Sequence, residues 1–96
     1  MFVGIYRIEL HLPASRSLKA KRSVLNGLKA RLSQLNLSVS EVGDPDLWQH
    51  CVLGASAVSS DAGYLEELAA RIETVCLRES RAQLLRVQRE VLPVES

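Results

Sequence analysis

The chain has 96 residues, 47% of them hydrophobic, and a formal net charge of +1, enough apolar material for one core and too little for two. A near-neutral total excludes a protein that is basic throughout, so any contact with nucleic acid must come from where the charges lie. No apolar run is long enough to span a bilayer, and Cys51 and Cys76 have neither a Cys-x-x-Cys neighbour nor a His at ligand spacing, which leaves no case for a membrane segment, a metal or a redox site.

The elements follow in order. Phe2 to Leu12 alternates, with Tyr6, Ile8, Leu10 and Leu12 on one side and Arg7, Glu9 and His11 on the other, the period of a half-buried strand that Pro13 ends. Leu18, Leu25, Leu28, Leu32 and Leu35 then recur on one stripe of a helix, with Ser15 or Ser17 as the N-cap. Leu37 to Val42 and Cys51 to Val58 read as a hairpin around the turn-rich Gly43-Asp44-Pro45-Asp46, with Trp48 near its base. Ser60-Asp61 caps a second helix with a core stripe of Leu65, Leu68, Ile72 and Val75 and with Tyr64 and Cys76 at its margins. A last strand from Ala82 to Leu92 alternates Leu85, Val87 and Val91 against Arg86, Gln88 and Glu90.

This β-α-β-β-α-β order predicts an α+β ferredoxin-like fold: a four-stranded antiparallel sheet with two helices on one face, in a single domain over 1–96. The architecture hosts enzymes, sensors and RNA binders, so function has to come from a site.

Charge is unevenly placed. From Leu10 to Ser40 there are six basic residues, Arg16, Lys19, Lys21, Arg22, Lys29 and Arg31, and no acid, while acids gather at 41–46 and 61–79. Projected on a helix, Arg22 and Lys29 share one margin of the leucine stripe, Lys19 lies further round and Arg31 sits on the opposite margin. Lys21 projects into the stripe itself, which predicts a stem packed at the core edge and an ammonium reaching outward. Cations in a first helical turn oppose the macrodipole at a cost of a few tenths to about 1 kcal/mol each, and a bound anion would offset it. Arg16, Lys19, Lys21, Arg22 and Lys29 are therefore candidate phosphate contacts, with a solvated helix face as the open alternative.

Other chemistry finds less support. The first and third strands carry no stacking aromatics on the sheet's open face, as an RNA-recognition motif would require. His11 and His50 have no nucleophile or carboxylate at a spacing that suggests a triad, and Glu41, Asp44 and Asp46 sit in a turn whose acids would bond backbone. No phosphate loop or dinucleotide fingerprint is present, so no catalytic activity and no cofactor are expected. Trp48 either covers the sheet end or anchors a partner.

The stretches "HLPASRSLKAKRSVL", "SVSEVGDPDLWQH" and "LGASAVSSD" together resemble the small bacterial YlxP-like family, a domain of unknown function, over nearly the whole chain. The most specific parts are Ser15-Arg-Ser-Leu-Lys with Lys21-Arg22, and Glu41-Val-Gly with Asp46-Leu-Trp-Gln49. The family pattern has Glu where Ala20 stands and lacks Pro45, so half of a capping box is missing here. The resemblance implies a ferredoxin-like fold, a cytoplasmic bacterial setting, and a gene neighbourhood shared with translation initiation and ribosome maturation factors. It implies no reaction. Two readings follow: an accessory factor of RNA or ribosomal particles that uses the basic helix, or a protein-interaction or dimeric small-ligand module, without catalysis, that uses the open sheet face and Trp48. In the second, a homodimer forms through the sheet face. Neither involves a membrane.

Overall fold

The computed structural model describes residues 1–95. Strand β1 (Phe2–His11), helix α1 (Leu18–Ser33), strands β2 (Ser38–Glu41) and β3 (His50–Ser59), helix α2 (Ala62–Leu77) and strand β4 (Gln83–Pro93) follow in chain order. They form one sheet in the order β2-β3-β1-β4, with every neighbouring pair antiparallel. This is the ferredoxin-like α+β arrangement that the alternating and helical periods predict.

One side of the sheet carries the core. Tyr6, Ile8, Leu10 and Leu12 of β1 and its continuation join Cys51, Leu53 and Ala55 of β3, and both helices contribute to the same cluster: Val24, Leu25, Leu28 and Leu32 from α1, and Leu65, Leu68, Ala69, Ile72 and Cys76 from α2. Both helices thus cover a single face. Tyr6 illustrates the closeness of fit. Its ring lies over Gly4, two residues earlier on the same side, so that a Cβ there would stand 2.4 Å from the Tyr6 hydroxyl oxygen, and that hydroxyl donates to the Leu65 carbonyl in α2 at 2.7 Å. A glycine in β1 thereby lets a buried phenol tie an inner strand of the sheet to a helix.

The helix ends follow their local chemistry. Ser17 caps α1, its hydroxyl accepting from the Ala20 N–H at 3.1 Å; Ala20 has no side chain to return the bond. The chain leaves α1 through Asn36 at φ 64°, a left-handed position that a short polar side chain tolerates. Asp61 caps α2 by accepting from Gly63 and Tyr64.

Three details depart from expectation. In β4, Leu84 and not Leu85 turns toward the core, because the pairing with β1 shifts between Glu9 and Leu10: Arg86 faces Glu9, Leu84 faces Leu10, and Leu85 is the extra residue. Leu85 is exposed while Leu84, Val87 and Val91 pack on the core, the usual effect of a β-bulge on side-chain direction. In α2, Cys76 lies fully within the core and Val75 at its edge. β2 is short, and Val42 and Gly43 both donate to the Val52 carbonyl beyond its end. There Val42 folds over Gly54, where a Cβ would come within 2.9 Å of its Cγ1.

Candidate functional site

Helix α1 begins with Lys19, Lys21 and Arg22 and carries no acid in its first turn, and the fold sorts these cations into two groups. Lys21 is only 1% exposed. Its ammonium does not reach outward, which corrects the expectation from the sequence. It approaches Glu41 Oε2 at 2.9 Å and donates to the carbonyls of Asp44 at 3.4 Å and Pro45 at 3.3 Å. The contact with Glu41 is an ion pair without a directional hydrogen bond, since that oxygen is buried and has no hydrogen-bond partner among the described residues. Lys21 thus fastens the α1 start to the β2–β3 loop, and as a phosphate contact it is sequestered. The physical reason is its place in the apolar stripe: once α1 packs on β2, the shortest way to satisfy the ammonium is the loop, not solvent.

The other cations stay available. Arg16, Lys19 and Arg22 are exposed, Lys29 is half-buried, and among the described residues none of the four makes an ion pair. Arg31, on the far margin, is bound to Glu79 at 2.8 Å, and Arg81 joins the same carboxylate at 2.9 Å. Glu79 is held down to about 2 by hydrogen bonds, from Arg81 above all and then from Arg31, against the opposing effect of its burial.

At one end of the sheet, the loop after β1 and the loop before β3 enclose an open groove of about 690 Å³ lined by His11, Arg16, Asp46, Trp48, Gln49 and His50. Gln49 holds its two walls together, donating from its side chain to the carbonyls of Pro13 at 3.2 Å and Ser15 at 3.3 Å, while its own carbonyl faces His11 Nδ1 at 2.9 Å. Because the partner there is a carbonyl, Nδ1 carries the proton. Trp48 is 52% exposed and shares the groove with Arg16, so a guanidinium and an indole from segments thirty residues apart line one concavity. That pairing suits an anionic, planar ligand: cation for phosphate, ring for stacking. Asp44 and Asp46 behave as turn residues, Asp44 Oδ1 accepting from the Asp46 N–H at 2.9 Å.

Sequence spacing also concealed a cluster. His11 and His50 face each other across β1 and β3, and His50 Nε2 meets Glu9 Oε2 at 2.9 Å. Glu9 is lowered below its ordinary value, first by this bond and further by Arg7. Alternation alone places Glu9 and His11 on the same face of β1; only the register brings His50 opposite. Among the described residues no hydroxyl or thiol is hydrogen-bonded to either imidazole. The two thiols lie elsewhere, and burial pushes Cys51 up to about 12 and Cys76 up to about 11, so both are poor nucleophiles at neutral pH.

Residues 3–89 match the family model described as "Protein of unknown function (DUF503)". The chain belongs to the DUF503 family. It is also similar to the "Uncharacterized protein YlxP" of Bacillus subtilis (strain 168), with 35% identity over 71 residues, 73% of this chain and 77% of that protein. The matched DUF503 span covers α1, the groove loops and the sheet up to Arg89, so the surfaces described above lie within the family's shared region. Among the described residues no helix is long and apolar enough to cross a membrane.

Proposed function

We propose that this DUF503 member is an accessory factor that binds RNA, free or in ribosomal particles, through the solvent face of α1 and the adjoining groove, without catalysing a reaction. One observation carries the reading: ion pairing consumes Lys21 and Arg31 of the basic segment and leaves Arg16, Lys19, Arg22 and Lys29 without an acidic partner among the described residues. Unpaired cations at a helix start raise the local potential and are the usual means of phosphate attraction. Trp48, which lines the same groove as Arg16, adds a stacking surface for a base, which single-stranded RNA can present and a duplex cannot.

The test is a salt titration of binding to a fluorescent single-stranded RNA. Four phosphate contacts give a slope of roughly −3 in log affinity against log salt, at about 0.7 per contact. Arg22→Glu with Lys29→Glu should weaken binding to all sequences about equally and flatten the slope, since phosphate contacts position a complex without reading bases. Indistinguishable curves, or no binding at low salt, would return α1 to a merely solvated face.

The alternative of a protein-interaction module has its own support. The register sets Val58, Val3 and Leu92 in a row across β3, β1 and β4 on the open face, with Val58, Leu92 and the nearby Ile5 exposed. Under that reading Ile5→Glu abolishes association with a protein partner or a second copy and leaves RNA affinity unchanged.

A further inference from the structure

The two edges of the sheet are unlike. β2 offers four residues, and its pairing turns irregular at Val42 and Gly43, which share one carbonyl of β3, whereas β4 is the other edge and runs for eleven residues with no strand beyond it among the described residues. A long edge presents a row of unpaired N–H and C=O groups that proteins normally cover or pair. The charges along β4 have a particular order. Arg86, Gln88 and Glu90 lie on the open face, opposite Glu9, Arg7 and Ile5 of β1, and among the described residues neither Arg86 nor Glu90 makes an ion pair. The acid directly opposite Arg86 in the ladder, Glu9, is already engaged by His50 and Arg7.

From this we infer that β4 pairs antiparallel with β4 of a second copy, about a two-fold axis at Gln88, to give one continuous eight-stranded sheet. A two-fold normal to the sheet keeps each side chain on its own face, so a residue meets one of the same parity, and the single register that joins Arg86 to Glu90 is the one centred on Gln88. Symmetry forms that pair twice. On the helix face the same register sets Val87 beside Arg89, whose charge is already neutralised by Glu66, so no unpaired charge enters the seam. The bulge at Leu85 and Pro93 bound the regular stretch, limiting the ladder to the segment where the charges match. Helix α1 packs against β2 and α2 and does not touch β4, and the groove meets β4 only through the pairing of His11 with Gln83, outside the Arg86–Glu90 stretch, so this assembly leaves the proposed RNA surface free.

Sedimentation equilibrium of the full chain over a concentration series tests it, with circular dichroism to confirm folding. Wild type should reach twice the mass of one chain. Glu90→Arg places two Arg–Arg contacts in the seam and should raise the dimer dissociation constant roughly tenfold or more, Arg86→Glu likewise, since like charges directly opposite destabilise a strand pair. The double exchange, Arg86→Glu with Glu90→Arg, restores both pairs and should restore the dimer. Amide hydrogen exchange of wild type supplies a measurement free of variants: outward N–H groups between Arg86 and Glu90 gain protection as concentration rises. A monomer at all concentrations overturns the inference. So does a dimer that ignores both single reversals, that the double exchange fails to rescue, or that Ile5→Glu dissociates while the β4 variants do not, the last result pointing to the open face instead.

Discussion

Replacing Lys21 by Met tests whether this residue belongs to the fold or to the binding surface. Met keeps the unbranched stem in its place in α1 and removes only the ammonium, which touches Glu41 and two loop carbonyls. Breaking a buried ion pair by deleting one partner costs about 3–5 kcal/mol when the survivor stays dry. Here the survivor is Glu41, whose side chain is 22% exposed and can rehydrate in part, and the bonds to Asp44 and Pro45 are long, so a loss of about 2–3 kcal/mol is expected. The reverse deletion, Glu41→Gln, strands an ammonium that is 2% exposed and should cost as much or more. In urea, monitored by circular dichroism, a loss of this size lowers the midpoint by roughly 1–2 M at the slope of a small domain. The double variant should be more stable than the two single losses added together, since each removes the other's partner. RNA affinity of the folded Lys21→Met protein should match wild type. A stability loss under about 0.5 kcal/mol, the range of an ordinary surface change, or a fall in RNA affinity with folding intact, would refute the assignment of Lys21 to the loop.

Two further outcomes follow from the same geometry. Glu79 sits at about 2 in the folded chain against an ordinary value of 4.5, so its contribution is complete above pH 4.5 and is lost as pH falls from there toward 2; because its two arginines are partly exposed, the amount is on the order of 2 kcal/mol. Glu79→Gln should remove that stability at neutral pH and flatten the acid limb of the stability profile, and identical limbs for both proteins would contradict it. Gly4→Ala drives a methyl into the Tyr6 ring, which is fully buried and anchored on Leu65, and should cost about 2–3 kcal/mol by thermal denaturation. Tyr6→Phe, losing only the hydroxyl bond, should cost about 1–2 kcal/mol, and the reverse ranking would show that the ring moves aside.

Local periodicity encodes most of this fold. The alternation of β1, the leucine stripe of α1 and a cap within Ser15–Ser17 and at Ser60-Asp61 are consequences of which residues share a face or reach a nearby N–H, and such relations span only a few positions; the structure settles the caps on Ser17 and Asp61. The same projection correctly put Lys21 in the apolar stripe. Where its ammonium would go depended on Glu41 and a loop more than twenty residues away, which is a matter of packing. Leu85 followed the strand period until a bulge against Glu9 and Leu10 displaced it, and nothing in 82–92 alone encodes that shift. Glu9 and His50 meet, and Arg16 and Trp48 line one groove, only because β1 and β3 pair in one register and bring their loops to the same end of the sheet. The sequence by itself determined which elements form and which cations the first helix carries. The tertiary structure decided which of those charges are neutralised, since the nearest opposite charge is fixed by distance through space and not by separation along the chain.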